Sequence, residues 1–128
     1  DIAVDAVRAA ARSGAQAVVA DAGVLPLRDG IVDAILCVNF LDRPLFMRLG
    51  AYLRPGGSLI VETFTVDQRK LGRGPTSAAH LLEPLELPRL VAPLEVVESF
   101  EGLVDEGVEG GERYVARVIA VKGPDRAR

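Results

Sequence analysis

Two polar residues follow apolar runs, and such runs are typical of buried strands. Asp21 comes directly after Ala17-Val18-Val19-Ala20, and Asn39 comes directly after the run from Val32 to Val38. In parallel α/β sheets, ligands bind beyond the carboxyl ends of the strands, so this carboxylate and this carboxamide are candidate ligand contacts. A structural reading stays open for each, because Asp begins many turns and Asn39 can simply end its strand.

The other reactive side chains have structural interpretations. Cys37 lies inside an apolar run and is expected to be a small core residue. His80 is the only histidine and has no evident second ligand or nucleophile, so neither a metal site nor a catalytic triad is expected. A charged segment follows the next apolar run and is either a solvated surface or a lid over a binding site. Its charged residues are Glu62, Asp67, Arg69, Lys70 and Arg73.

The spacing of apolar residues predicts the elements that would position these side chains. A helix is predicted over 3–13, because apolar residues recur there at intervals of three and four. Strands are predicted over 17–20 and 32–38, and the second is apolar throughout, as in a strand buried on both faces. Asp42 is suited to cap a following helix that runs to about residue 53.

The second half of the chain is predicted to complete the sheet. We expect a strand, a long polar loop, a short helix and two strands of a Gly-rich hairpin, over 58–63, 64–79, 84–91, 94–103 and 113–121. Alternating strands and helices predict an α/β fold with parallel strands and right-handed crossovers, to which the hairpin adds an antiparallel pair.

Composition limits the class of protein. The 128 residues carry a net charge of −3, with 49% hydrophobic and 26% charged residues. These values are ordinary for one globular domain and argue against disorder, a nucleic-acid-binding domain or a membrane-spanning segment. A single cysteine excludes an internal disulfide framework, and the cytoplasm is the default location. The first residue is Asp, which suggests a processed chain or a fragment.

Three stretches combine into an ordered pattern. An acidic residue precedes a helix, an Asp-Ala pair follows an apolar run, and an Asn-Phe pair precedes an Arg-Pro-Gly-Gly turn and a strand. The stretches are Asp1 to Val7; Val19 to Leu27 with Asp29-Gly30 and Val32-Asp33; and Asn39 to Leu41 with Leu53 to Gly57 and Glu62 to Thr65. This pattern resembles the class I S-adenosylmethionine-dependent methyltransferases, most closely their small tellurite-resistance-type branch, and implies a Rossmann-like fold with S-adenosyl-L-methionine as cofactor.

The resemblance implies four contacts with the adenosyl part of the cofactor. Asp1 would accept hydrogen bonds from both ribose hydroxyls, with Asp5 as an alternative, and Ile2 would pack against the adenine. Asp21 would accept a hydrogen bond from the adenine amino group, and the backbone N–H of Ala22 would donate one to the ring.

The resemblance also implies a place for methyl transfer. Asn39 and Phe40 would line the pocket where the methyl donor and a small-molecule acceptor meet. Direct displacement needs alignment more than acid–base chemistry, so no catalytic residue is assigned.

The family's glycine-rich loop has no counterpart here, because the only G-x-G, Gly72-Arg73-Gly74, lies in the polar loop. If Asp1 is the ribose-binding acid, residues 1–122 are the C-terminal two-thirds of a methyltransferase domain, followed by a polar tail over 123–128. The first strand, the glycine loop and most of the second strand would then be missing. The first hypothesis is methyl transfer by an intact domain. The alternatives are a non-catalytic domain that self-associates through an open sheet edge, for example as a homodimer, and a nucleotide-binding regulatory domain.

Overall fold

A four-stranded mixed sheet organises residues 3–124, the part of the chain that the structure, a computed structural model, describes. In the order β1-β2-β4-β3, β1 and β2 are parallel, and β4 is antiparallel to both of its neighbours. The strands are β1 (Val32–Val38), β2 (Leu53–Phe64), β3 (Glu95–Asp105) and β4 (Glu112–Val121). The predicted α/β fold with a closing antiparallel hairpin is confirmed.

Four short helices precede or connect the strands in the described part of the chain. They are α1 (Val4–Arg12), α2 (Arg43–Phe46), α3 (Leu49–Tyr52) and α4 (Glu86–Leu90), with 3₁₀ turns at Val66–Leu71 and Ala78–His80. Asp42 caps α2 as predicted, since its Oδ1 accepts from the Leu45 amide at 2.9 Å. The prediction of one continuous helix to residue 53 is wrong, because the Arg48 amide donates to the Leu45 carbonyl in a tighter turn between α2 and α3. None of the helices in the described part is long and apolar enough to cross a membrane.

The main core cluster lies on one face of the sheet. Side chains of α2, α3 and α4 pack against alternate residues of β2 and β4, and the buried cluster includes Phe46, Leu49, Leu59, Val61, Leu87, Val118 and Ala120. The prediction that 32–38 is buried on both faces is wrong. Ile35 and Cys37 pack against the core, whereas Leu36 is 70% exposed and Val38 is 48% exposed. Side chains alternate along a strand, so Leu36 and Val38 point to the opposite face from Ile35 and Cys37.

The predicted strand over 17–20 is not formed, and β1 is an edge of the described sheet. Val18 and Val19 are both more than half exposed. A β-branched composition favours a strand but does not by itself determine one, because strand formation depends strongly on tertiary context. Helix α1 forms almost where predicted, but it has no buried residues.

Arg43 ties together three segments that are distant in sequence. Its Nε and Nη2 donate to the two carboxylate oxygens of Glu86 at 2.5 and 3.0 Å. Its Nη1 donates to the Ala78 carbonyl at 3.1 Å and its Nη2 to the Leu81 carbonyl at 2.9 Å. The hydrogen bond from Arg43 holds the pKa of Glu86 below its usual value, although burial opposes this shift.

The long polar loop is anchored by a buried amide. Gln68 is 2% exposed, its Oε1 accepts from the Tyr114 amide at 2.8 Å, and its Nε2 donates to the Arg73 carbonyl at 3.0 Å. The loop is therefore attached to β4 and partly ordered as 3₁₀ turns.

A glycine is required where β2 bulges. Val32 pairs with Leu53 but Ala34 pairs with Ser58, so residues 54–57 bulge out of the ladder. A Cβ on Gly57 would lie 2.8 Å from the Arg54 carbonyl oxygen and 2.9 Å from that of Asp33. The Arg-Pro-Gly-Gly turn thus allows two backbones to approach closely.

Candidate functional site

A cleft of about 620 Å³ lies between residues 20–22 and the carboxyl end of β1. Its lining residues are Ala20, Asp21, Ala22, Leu36, Cys37, Val38, Phe40 and Asp42. Three of the six predicted site residues, Asp21, Ala22 and Phe40, therefore border the same cavity. They come from two segments separated by the whole of β1.

Asp21 is held in a turn that leaves one carboxylate oxygen available. Its Oδ1 accepts from the Gly23 amide at 2.8 Å, and its carbonyl accepts from the Val24 amide at 3.0 Å. Arg48 fastens the turn to the helical layer by donating to the Gly23 carbonyl at 3.2 Å. Among residues 3–124, Oδ2 has no hydrogen-bond partner, so the turn role and a ligand role for Asp21 are compatible.

Phe40 and Cys37 give the cleft an apolar side. The Phe40 ring lies 6.5 Å from the Phe46 ring, centroid to centroid, and remains 39% exposed. Burial raises the pKa of the Cys37 thiol to about 11, so this thiol is neutral at physiological pH and is a weak nucleophile. Both residues provide contact area for a flat ligand.

Asn39 faces a different set of residues. It adopts a left-handed conformation with φ 54°, and its amide donates to the Glu62 carbonyl at 2.9 Å. Its Oδ1 accepts from Arg113 Nη1 at 3.3 Å. Its backbone thus joins the ends of β1 and β2, while its side chain turns toward β4.

Sequence reasoning missed an ion-pair cluster beside Asn39, which we call the rim cluster: Glu62, Glu106, Arg113 and Arg117. Arg113 Nη2 lies 3.0 Å from Glu62 Oε1 and 2.6 Å from Glu106 Oε1, and Arg117 Nη2 lies 2.6 Å from Glu62 Oε2. Burial raises the pKa of Glu62, but hydrogen bonds from Arg117 and Arg113 outweigh it and leave the pKa below its usual value. The four-residue spacing of the two arginines on a strand was the available signal, because it places both on one face.

Asp1 and Ile2 lie outside the described residues, so their assignments stay predictions. Asp5 belongs to the first turn of α1. His80 ends a 3₁₀ turn, and Glu62 belongs to the rim cluster and not to a solvated loop. Among residues 3–124, no three His, Cys, Asp or Glu side chains gather closely enough to hold a metal ion.

Several solved structures with a similar fold are S-adenosylmethionine-dependent methyltransferases. One from Methanosarcina mazei matches with a TM-score of 0.71 and 18% identity, covering 98% of this chain and 81% of the other. A second, a possible histamine N-methyltransferase from Thermotoga maritima, matches with a TM-score of 0.69 and 18% identity, covering 95% and 71%. No protein-family model and no curated protein matches the sequence. The chain therefore has a class I S-adenosylmethionine-dependent methyltransferase fold, and its assignment to the tellurite-resistance-type branch stays a prediction.

The same fold also supports other chemistry. A [4+2]-cyclase, SpnF, matches with a TM-score of 0.62 and 16% identity, covering 97% of this chain and 62% of the cyclase. The fold alone therefore does not determine the reaction, which depends on the residues of the site.

Proposed function

We propose that the cleft binds the adenosyl part of S-adenosyl-L-methionine, and that an intact domain containing this chain transfers a methyl group to a small-molecule acceptor in the cytoplasm. The observation that carries the proposal is the convergence of Asp21, Ala22 and Phe40 on one cleft of a methyltransferase fold. Oδ2 of Asp21 is suited to accept from the adenine amino group, and Asp1 and Ile2 complete the proposed ribose and adenine contacts.

The charge of the cleft supports this ligand. Asp21 and Asp42 line it, none of the cationic side chains among residues 3–124 does, and most of the other lining residues are apolar. Such a surface favours a flat ligand that carries a positive charge, and S-adenosylmethionine is a sulfonium cation that supplies the methyl group. The residues of this chain bind and orient, and none is assigned as a general base. The single unpaired cysteine supports a cytoplasmic location.

The test is calorimetric titration with S-adenosylhomocysteine, comparing the wild type with Asp21→Asn. Asparagine keeps an oxygen for the Gly23 amide but replaces the second oxygen by a donor, so the turn survives and the adenine contact is lost. We expect binding to weaken by about 1–3 kcal/mol, and Asp21→Ala to lose at least as much. Asp29→Asn, in an exposed turn outside the cleft, is the matched control. An unchanged dissociation constant for Asp21→Asn would refute the assignment.

Cys37 gives an independent readout, because it is the only cysteine and lines the cleft. At about pH 9, well below its pKa, iodoacetamide should alkylate it slowly, and bound S-adenosylhomocysteine should slow the reaction further. ATP, as the competing ligand, should give no protection. Protection by ATP alone would favour the nucleotide-binding reading.

The second candidate, self-association without catalysis, is favoured by the position of β1 at the edge of the sheet that residues 3–124 form. Leu36 and Val38 present apolar surface there, and an unpaired strand edge is a template for another chain. If the chain self-associates in this way, analytical ultracentrifugation should show a dimer, and the Leu36→Lys substitution should dissociate it. Val97→Lys, on the opposite edge strand β3, does not dissociate it. A wild-type monomer at about 100 µM would eliminate this candidate.

A further inference from the structure

The orientation of the Asn39 carboxamide is fixed by the chemistry of its partner. A guanidinium carries only N–H donors, so the atom 3.3 Å from Arg113 Nη1 must be the side-chain oxygen. The Nδ2 group of Asn39 therefore faces away from Arg113. Among residues 3–124 it has no hydrogen-bond partner, and Asn39 is exposed.

Arg113, the hydrogen-bond partner of Asn39, is itself held in place. Only 20% of the Arg113 side chain is exposed, and its Nη2 is engaged by Glu62 and Glu106. The Asn39 backbone is tied to β2 through the Glu62 carbonyl. The rim cluster thus sets the amide orientation before any ligand arrives, and Asn39 presents a donor at the carboxyl end of β1.

We propose that Arg113 is a positioning residue that makes Asn39 a hydrogen-bond donor to the methyl acceptor, and that this acceptor carries a carboxylate or carbonyl oxygen beside the methylated atom. The inference rests on the proposed function and on the expectation from the resemblance that Asn39 and Phe40 line the pocket where methyl donor and acceptor meet. An amide whose oxygen accepts from a cation is polarised and donates more strongly. The atom that receives the methyl group needs its own lone pair, so the oxygen bound by Asn39 is a neighbouring one.

The sequence offers a direct probe, because Asn39 is the only asparagine and the chain has only two glutamines, so few side-chain amides give NMR signals. Its Nδ2 proton resonances are assigned by comparison with Asn39→Ala in a 15N-labelled sample. Benzoate, titrated in the presence of S-adenosylhomocysteine, should shift these resonances to saturation, and benzylammonium should not. A response to benzylammonium, or to neither compound, overturns the inference.

Two substitutions test the positioning role. Arg113→Met frees the amide to rotate and should weaken the benzoate response about tenfold, and Arg113→Lys should restore part of it. Asn39→Asp keeps the contact with Arg113 but has no donor, so its backbone resonances should lose the benzoate response. Arg54→Met, which removes an exposed arginine paired with Asp33, is the matched control. An unchanged benzoate affinity in Arg113→Met or Asn39→Asp overturns the inference.

Different results would refute the cofactor assignment and the acceptor class. S-adenosylhomocysteine binding that depends on Asp21, without a benzoate response, refutes only the acceptor class. Unchanged S-adenosylhomocysteine binding in Asp21→Asn refutes the cofactor assignment itself.

Discussion

Replacing Gln68 by leucine tests whether one buried amide holds the polar loop to the sheet. Leucine has a similar volume but no polar atoms, so the change leaves the Tyr114 amide and the Arg73 carbonyl without their partners. Gln68 is 2% exposed and both of its hydrogen bonds are part-buried, so water has limited access to them.

The expected loss follows from these two groups. Each stranded buried group costs about 1–3 kcal/mol. Burying a leucine in place of an amide returns about 1–2 kcal/mol of hydrophobic free energy. The free energy of unfolding should therefore fall by about 2.5 kcal/mol, and by at most about 5 kcal/mol.

Urea denaturation followed by circular dichroism measures this change, with an unchanged slope as the check that the unfolded states are comparable. Gln16→Leu is the matched control, because Gln16 is exposed, and it should change stability by less than about 0.5 kcal/mol. The reasoning is refuted if the two variants have the same midpoint.

Two further predictions concern the supports of the fold. Because the pKa of Glu86 is lowered in the folded state by Arg43, its stabilisation is present above its unfolded pKa and is lost as pH falls through the folded value. Wild type should lose more stability than Glu86→Gln between about pH 6 and pH 3, and parallel curves would contradict this. Gly57→Ala should cost about 1–3 kcal/mol, because its Cβ would meet two carbonyl oxygens. Gly123→Ala, with nothing within 4 Å, is the control in thermal denaturation, and equal melting temperatures would refute the close approach.

Local patterns predicted several elements with nearly correct bounds. The run from Val32 to Val38 forms β1 as predicted, and the hairpin of β3 and β4 forms within one or two residues of its predicted bounds. The run over 17–20 has a similar composition but forms no strand, because β propensity is a weak preference that tertiary context overrides. The same limit explains Leu36, which looks buried in sequence and is exposed in the structure.

The site was predictable only in part, for a related reason. The positions of Asp21 and Phe40 follow from where apolar runs end, and both line the cleft. The contact of Asn39 with Arg113 joins residues separated by 74 positions. It depends on β4 inserting between β2 and β3, a feature of sheet order that no local pattern encodes.

The arrangement around Arg43 has a consequence for how the molecule opens. Its guanidinium closes loops of 35 to 43 residues, the difference in sequence number between Arg43 and its partners. Closing loops of this length is entropically costly, so losing this one side chain frees the 78–86 segment from α2, while β2 remains paired with β4. Limited proteolysis of Arg43→Ala should therefore cut first between α2 and α4, at the turn of Ala78–His80.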